Sequence, residues 1–231
     1  YAEVELAAGG SAFAVWRGGE RLGDVRLAIP GLHNVRNAMA ALATALSLGV
    51  RFDLAAQALA SFRGVMRRYQ LVDEVEGVRL VDDYAHHPSE VRTTLQAAGL
   101  EKAGRIVCLF QPHRYSRTAA LWREFGQALL GADLVILTDV YAAGEDPLPG
   151  VSGKMIVDAL LEADPSKQAV YIPKRSMLGE AAARFIRPGD LVLTMGAGDI
   201  SQCAGEIAGM LRNAGGEARG CGGGEGREDS G

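Results

Sequence analysis

The stretch VRLVDDYAHHPSE, residues 78–90, decides how the chain is read. Val78–Val81 is a short apolar run of strand type. A polar loop, Asp82–His87, leaves its carboxyl end. Pro88 then suits the first turn of a helix, where its missing N–H costs nothing. Strand, loop and helix in that order make one βα unit. The same pattern recurs downstream. Strands are expected at Ile106–Phe110, Leu134–Leu137, Ala169–Ile172 and Leu191–Met195, each followed by a helical pattern. Val91, Leu95 and Ala98 fall at i, i+4 and i+7, and Gly99 is the expected C-cap. Leu121, Phe125 and Leu129 repeat at intervals of four. Five such units in a row predict an α/β fold with a mostly parallel sheet flanked by helices. Gln70–Glu76 is expected to add an edge strand.

Upstream the pattern differs. Residues 1–30 alternate apolar and polar, broken at Gly9-Gly10 and Gly18-Gly19, which predicts three antiparallel strands. HNVRNAMAALATALSLG, residues 33–49, predicts a helix, and a second is expected near Leu54–Phe62. The tail from Ala214 is glycine-rich and charged without apolar periodicity, so it is expected to be disordered. The opening YAEVEL is strand-like and carries no initiator methionine, which suggests a piece of a longer protein.

The 231 residues are 48% apolar, with a formal charge of −4. That size allows one large domain or two small ones. No basic run points to nucleic acid or an anionic membrane. No apolar segment approaches the roughly 18 residues that span a bilayer. Three widely spaced cysteines fit neither a disulfide framework nor a zinc site, and suit a reducing, cytoplasmic setting.

In a parallel α/β sheet, ligands bind beyond the carboxyl ends of the strands. Three polar loops leave those ends: Asp82–His87, QPHRYSRT (111–118) and TDVYAAGEDP (138–147). All four histidines lie in GLHNVRNA (31–38) or in these loops: His33, His86, His87 and His113. Arg114 and Arg117 lie three apart, so they can face one anion if the loop begins a helix. Arginine forks suit carboxylate and phosphate. With Asp83, Tyr84 and His86 they make a rim suited to an anionic substrate. A structural reading of each residue taken singly, as a cap or a satisfied loop residue, stays open. So does a metal phosphoesterase built from Asp82, Asp83, His86, His87 and His113, although adjacent His86 and His87 must point differently. MGAGDI (195–200) is a glycine turn and not a complete dinucleotide fingerprint. The chain has no Walker A loop, because Met155 follows Gly153-Lys154 and the upstream glycine is missing.

Taken together, GLHNVRNAMAA, MRRYQLV, VDDYAHHPSEV, FQPHRYSRT, DVYAAGEDPLPG and GAGDI resemble the Mur ligases over nearly all of residues 1–213. FQPHRYSRT resembles the branch that adds L-alanine to UDP-N-acetylmuramate. The resemblance implies an ATP-dependent acid–amino-acid ligase of peptidoglycan precursor synthesis. It implies the end of a central ATP-binding domain at 1–66, a C-terminal Rossmann-like domain at 67–213, and the glycine-rich tail at 214–231. ATP, UDP-N-acetylmuramate and L-alanine are the implied ligands. Mg2+ is the implied cofactor, its ligands belonging to a part of the family pattern that this chain lacks, along with the phosphate loop and the UDP-binding domain. On that ground the chain is expected to be inactive alone.

Residue by residue, Asn34 and Asn37 match adenine-side contacts, Arg68 an arginine near the ATP phosphates, and Asp83 the acid that bonds the ribose. Tyr84, His86, Arg114 and Arg117, with His113, match residues that line the alanine and muramoyl carboxylate site. Arg68, His86, Arg114 and Arg117 are the implied catalytic set. His87 and Asp82 are read as structural. Two alternatives remain at this point: a related ligase that recycles a muramoyl peptide, and a binding module without catalysis.

Overall fold

A computed structural model describes residues 1–7, 9–101 and 104–220. Two sheets organise it. The first has three antiparallel strands in the order β1-β2-β3: β1 Ala2–Ala7, β2 Gly10–Arg17 and β3 Glu20–Leu27. Helices α1 (Leu32–Ser47) and α2 (Phe52–Ser61) cover one face. Phe13, Val15, Val25 and Leu27 pack there against Val35, Ala38, Leu42 and Ala55. Alternate positions of β2 and β3 supply the strand side of this core, as a two-residue period requires.

The second sheet has six strands in the order β4-β5-β9-β6-β7-β8. These are β4 Gln70–Val75, β5 Val78–Asp83, β6 Arg105–Phe110, β7 Leu134–Leu137, β8 Gln168–Tyr171 and β9 Asp190–Met195. Only β4 is antiparallel, at the edge that the sequence assigned to it. Helices α3 (Pro88–Ala98), α4 (Tyr115–Leu129) and α5 (Lys154–Ala163) lie on one face. Helices α6 (Leu178–Ala183) and α7 (Gln202–Gly220) lie on the other. Consecutive strand residues serve opposite cores: Val81, Cys108 and Phe110 face one, Leu80, Val107 and Leu109 the other. Burial on both faces explains why these strands read as unbroken apolar runs.

The expected α/β fold with a mostly parallel, helix-flanked sheet is therefore the observed one. Four local expectations change. Strand β5 runs on through Asp83, because Asp82 and Asp83 continue the parallel pairing with β9, so the loop starts at Tyr84. Gly99 caps α3 in a right-handed conformation, φ −64°, so the left-handed freedom of glycine is not used there. Leu121 leaves helical geometry, φ −127°, and kinks α4, while Phe125 and Leu129 are buried as expected. Helix α7 continues past Ala214 to Gly220, where disorder was expected. Residues 221–231 of that tail lie outside the described residues.

Candidate functional site

The carboxyl ends of β5, β6, β7 and β9 lie side by side, because these strands are parallel neighbours. Their exits bring Tyr84, His86, His113, Arg114 and Arg117 together. The rings of Tyr84 and His86 meet edge to face at 5.0 Å, and those of His86 and His113 at 5.9 Å. His113 stacks on Tyr141 at 5.6 Å with 13° between the planes. Four rings from three loops thus form a continuous row along the rim.

The protons of the two imidazoles can be assigned from their partners. His86 Nδ1 lies 2.9 Å from the Tyr84 carbonyl oxygen, which can only accept, so Nδ1 carries hydrogen. Nε2 is left for a ligand. His113 Nδ1 is buried with no hydrogen-bond partner among the described residues. Burial, then Arg117, His86 and Arg114, push the His113 pKa below its ordinary 6.5. At neutral pH that ring is neutral and able to accept a proton.

The two arginines have different partners. Helix α4 begins at Tyr115, so Arg114 is its cap and not its first turn, with a left-handed φ of 73°. Arg114 N–H donates to the Tyr141 carbonyl at 2.8 Å, which fixes that conformation. The Arg114 guanidinium lies 3.7 Å from Glu145. Arg117 reaches the His86 carbonyl at 3.5 Å. The two arginines thus flank the start of α4 on one rim, Arg114 at its cap and Arg117 in its first turn. Glu145 also accepts from the Ser116 hydroxyl at 2.6 Å and the Ser116 N–H at 2.9 Å, so it ties the β7 loop to the start of α4.

On the other side of Tyr84 lies the linker between the sheets. Arg67 and Arg68 both lie over the Tyr84 ring, at 5.0 and 5.6 Å. Asp83 is buried, and burial raises its pKa against the pull of its hydrogen bonds. Its carboxylate accepts from Ala85 N–H at 2.7 Å and Tyr69 N–H at 2.8 Å. A carboxylate has about four acceptor positions, so room for a further donor remains. Asn34 spends one amide hydrogen on the Pro30 carbonyl at 2.7 Å, while Asn37 is exposed. His33 is half-buried, and burial with the charge of Arg68 lowers its pKa. A cleft of about 400 Å³ opens beside the linker, lined in part by Pro30, Arg63, Arg68, Tyr69 and Arg79.

Sequence reasoning missed several residues of this region. Arg67 lies beside Arg68, and nothing in the sequence says which of the two turns inward. Tyr141 and Glu145 belong to the DVYAAGEDPLPG motif, whose polar rim position was the available signal. Glu90 carries the spacing of a helix-capping acid, three residues after His87. His87 faces Ser89 at the start of α3, and Asp82 binds Arg67 and Thr194. Among the described residues, no three His, Cys, Asp or Glu side chains come together to hold a metal ion. Among them also, no helix is long and apolar enough to cross a membrane.

Comparison with known proteins places the chain in a family. The chain is 49% identical over 197 residues to a UDP-N-acetylmuramate–L-alanine ligase of Pelotomaculum thermopropionicum, a match covering 85% of this chain and 42% of that protein. It is 52% identical over 181 residues to the protein of the same name from Desulforamulus reducens, covering 78% and 39%. The chain thus spans about two fifths of the length of these curated relatives. Among solved structures, the UDP-N-acetylmuramate-alanine ligase of Thermotoga maritima superposes with a TM-score of 0.78 at 31% identity, covering 92% of this chain and 45% of that one. A murein peptide ligase of Psychrobacter arcticus gives 0.66 at 26%, covering 91% and 44%. Residues 67–198 match the family described as Mur ligase, glutamate ligase domain, and the chain belongs to that family.

Proposed function

We propose that the chain is part of a ligase that joins L-alanine to the lactyl carboxylate of UDP-N-acetylmuramate at the expense of ATP. The names of its relatives support this over a peptide-recycling ligase. The observation that carries it is the convergence of Tyr84, His86, His113, Arg114 and Arg117 on one rim. We read residues 1–66 as the end of the ATP-binding domain and 67–213 as the closing domain.

A carboxylate is a poor electrophile until one oxygen becomes a good leaving group. ATP transfers its γ-phosphoryl group to the lactyl carboxylate, and ADP leaves. The amine of L-alanine attacks the acyl phosphate, a tetrahedral intermediate forms, and phosphate departs with the old C–O bond as the amine loses its proton. Anionic groups must be brought together in this sequence, so cations are needed where they meet. Arg114 and Arg117 hold carboxylates there. Arg68 faces the phosphates from the linker, with Asn34, Asn37 and Asp83 on the nucleoside side. His113, with its lowered pKa, and His86 Nε2 can accept the proton that the amine loses as it attacks. Mg2+, implied with ATP, finds no ligand set of its own among the described residues.

Calorimetric titration of this chain with ATP–magnesium and with L-alanine, separately and together, tests the reading. Absent or weak ATP binding is expected, with ATP contacts completed by further parts of the protein. Micromolar ATP binding without ligase activity in the full-length protein would overturn the ligase reading in favour of a binding module.

A further inference from the structure

Glu90 stands between two groups that the proposed mechanism uses separately. One carboxylate oxygen accepts from the His86 N–H at 3.0 Å and the His87 N–H at 3.2 Å. The same oxygen lies 3.4 Å from His86 Nδ1. The other oxygen lies 3.7 Å from Arg68 Nη1. Burial works against ionising Glu90, but the backbone bonds from His86 and His87, the His86 ring and Arg68 outweigh it and hold its pKa below the ordinary 4.5. It is therefore an anion throughout the neutral range. Arg68 belongs to the linker, and His86 to the loop after β5. No backbone hydrogen bond joins Arg68 to the β5 loop among those described; its own N–H donates to Val65. Beside the Tyr84 ring, which both residues touch, the carboxylate of Glu90 is the charged link between Arg68 and the histidine.

We infer that Glu90 is a positioning residue that couples the linker arginine to the histidine loop, so that capture of an anionic phosphoryl group by Arg68 is felt at His86. This rests on the ligase reading above. Arg68 has one diffuse bond to Glu90 and a half-exposed side chain, so an incoming phosphate competes for it directly. When Arg68 turns to the phosphate, Glu90 keeps its full charge for the His86 loop alone. Ground-state pairing with Arg68 is thus exchanged for a tighter hold on the residue that faces the amine. An acid at this position does more than cap helix α3.

The test separates charge from capping. Glu90→Gln keeps an oxygen for the His86 and His87 amides and removes the charge. In the full-length ligase, we expect Glu90→Gln to lower the KM for ATP, because it removes the competitor for Arg68, and to raise that for L-alanine, by about fivefold each, a coupling of ordinary size for contacting residues. The melting temperature should stay within about 3 °C, as for a substitution that preserves the cap. On an Arg68→Ala background, Glu90→Gln should leave the ATP KM unmoved and still raise that for L-alanine. Additive effects on the ATP KM, or an unchanged L-alanine KM, overturn the inference. A second reading is independent of catalysis. In this chain, the NMR shift of the Arg68 side chain carries the ring current of Tyr84. Both Glu90→Gln and Glu90→Ala should move it, and an unmoved shift overturns the inference. If the full-length protein does not ligate L-alanine, the proposed function fails, and the Arg68 shift still decides the role of Glu90.

Discussion

Arg67 donates from Nη2 to the carbonyl of Gly196 at 2.7 Å, joining residues 129 positions apart in the chain. Its Nε donates to Asp82 at 3.0 Å, and its own carbonyl accepts from Tyr84 N–H at 2.7 Å. One linker residue thus fastens to the ends of β5 and β9 together. Arg67 holds a left-handed φ of 59° to do so, a conformation that a side chain tolerates only when its surroundings enforce it.

Arg67→Ala should therefore destabilise the fold strongly. It leaves Asp82, whose side chain is 5% exposed, with Thr194 as its remaining side-chain partner. Removing one member of a buried pair costs roughly 3 kcal/mol. Urea denaturation measures it, and a loss below about 1 kcal/mol would reduce Arg67 to an ordinary surface arginine.

Asp83 carries a structural duty and a proposed one, and two variants separate them. Asp83→Ala strands the Tyr69 and Ala85 amides, at about 1–3 kcal/mol for each unsatisfied donor. Asp83→Asn keeps one acceptor oxygen and should cost less. In the full-length ligase, Asp83→Asn should raise the KM for ATP and leave that for L-alanine near its starting value. An unchanged ATP value would count against the ribose contact.

The neutral state of His113 has a thermodynamic signature. Its folded pKa lies below the ordinary 6.5, so the unfolded chain takes up a proton first as pH falls. Stability contributed by the neutral ring is complete above pH 6.5 and is lost as pH drops from there toward the folded pKa. His113→Gln should flatten that part of the stability curve. NMR titration of the ring should give a midpoint below 6.5, and one above it would contradict the assigned environment.

Gly198 marks how closely the last turn approaches the rim. A Cβ there would lie 2.4 Å from Gln111 Oε1 and 2.6 Å from the Tyr141 ring. Gln111 cannot retreat, because it donates to Asp199 at 2.8 Å and accepts from Ile200 N–H at 3.2 Å. Tyr141 must yield instead and lose its stack on His113. Gly198→Ala should cost about 1–3 kcal/mol, the usual range for overpacking, as read by thermal unfolding.

The sheet was legible because Leu80-Val81, Val107–Phe110 and Leu134–Leu137 are buried on both faces, which leaves an unbroken apolar signature. The rim was legible because strand ends, polar loops and three of the four histidines, His86, His87 and His113, coincide in the sequence. Partner choice within the rim was not legible. Arg67 and Arg68 are identical neighbours, and which one turns inward depends on the carbonyl of Gly196 and the carboxylate of Asp82. Arg114 and Arg117 have helical spacing, yet the Tyr141 carbonyl holds Arg114 outside the helix. Such contacts join distant parts of the chain and leave no periodic trace. The kink at Leu121 is likewise invisible in the apolar spacing of α4, which Phe125 and Leu129 continue unbroken.

The position of β9 also sets when the site can exist. It is the last of the six strands of this sheet in chain order among the described residues, yet it lies between β5 and β6, pairing in parallel with both. Until Met195 has left the ribosome, the loops carrying His86 and His113 have no common scaffold to hold them in register. Nascent chains that stop short of residue 190 present two open parallel edges where the centre of the sheet belongs, the kind of exposed edge that invites wrong pairing. The candidate rim is thus a late event of synthesis, completed by a strand that contributes no ring to it.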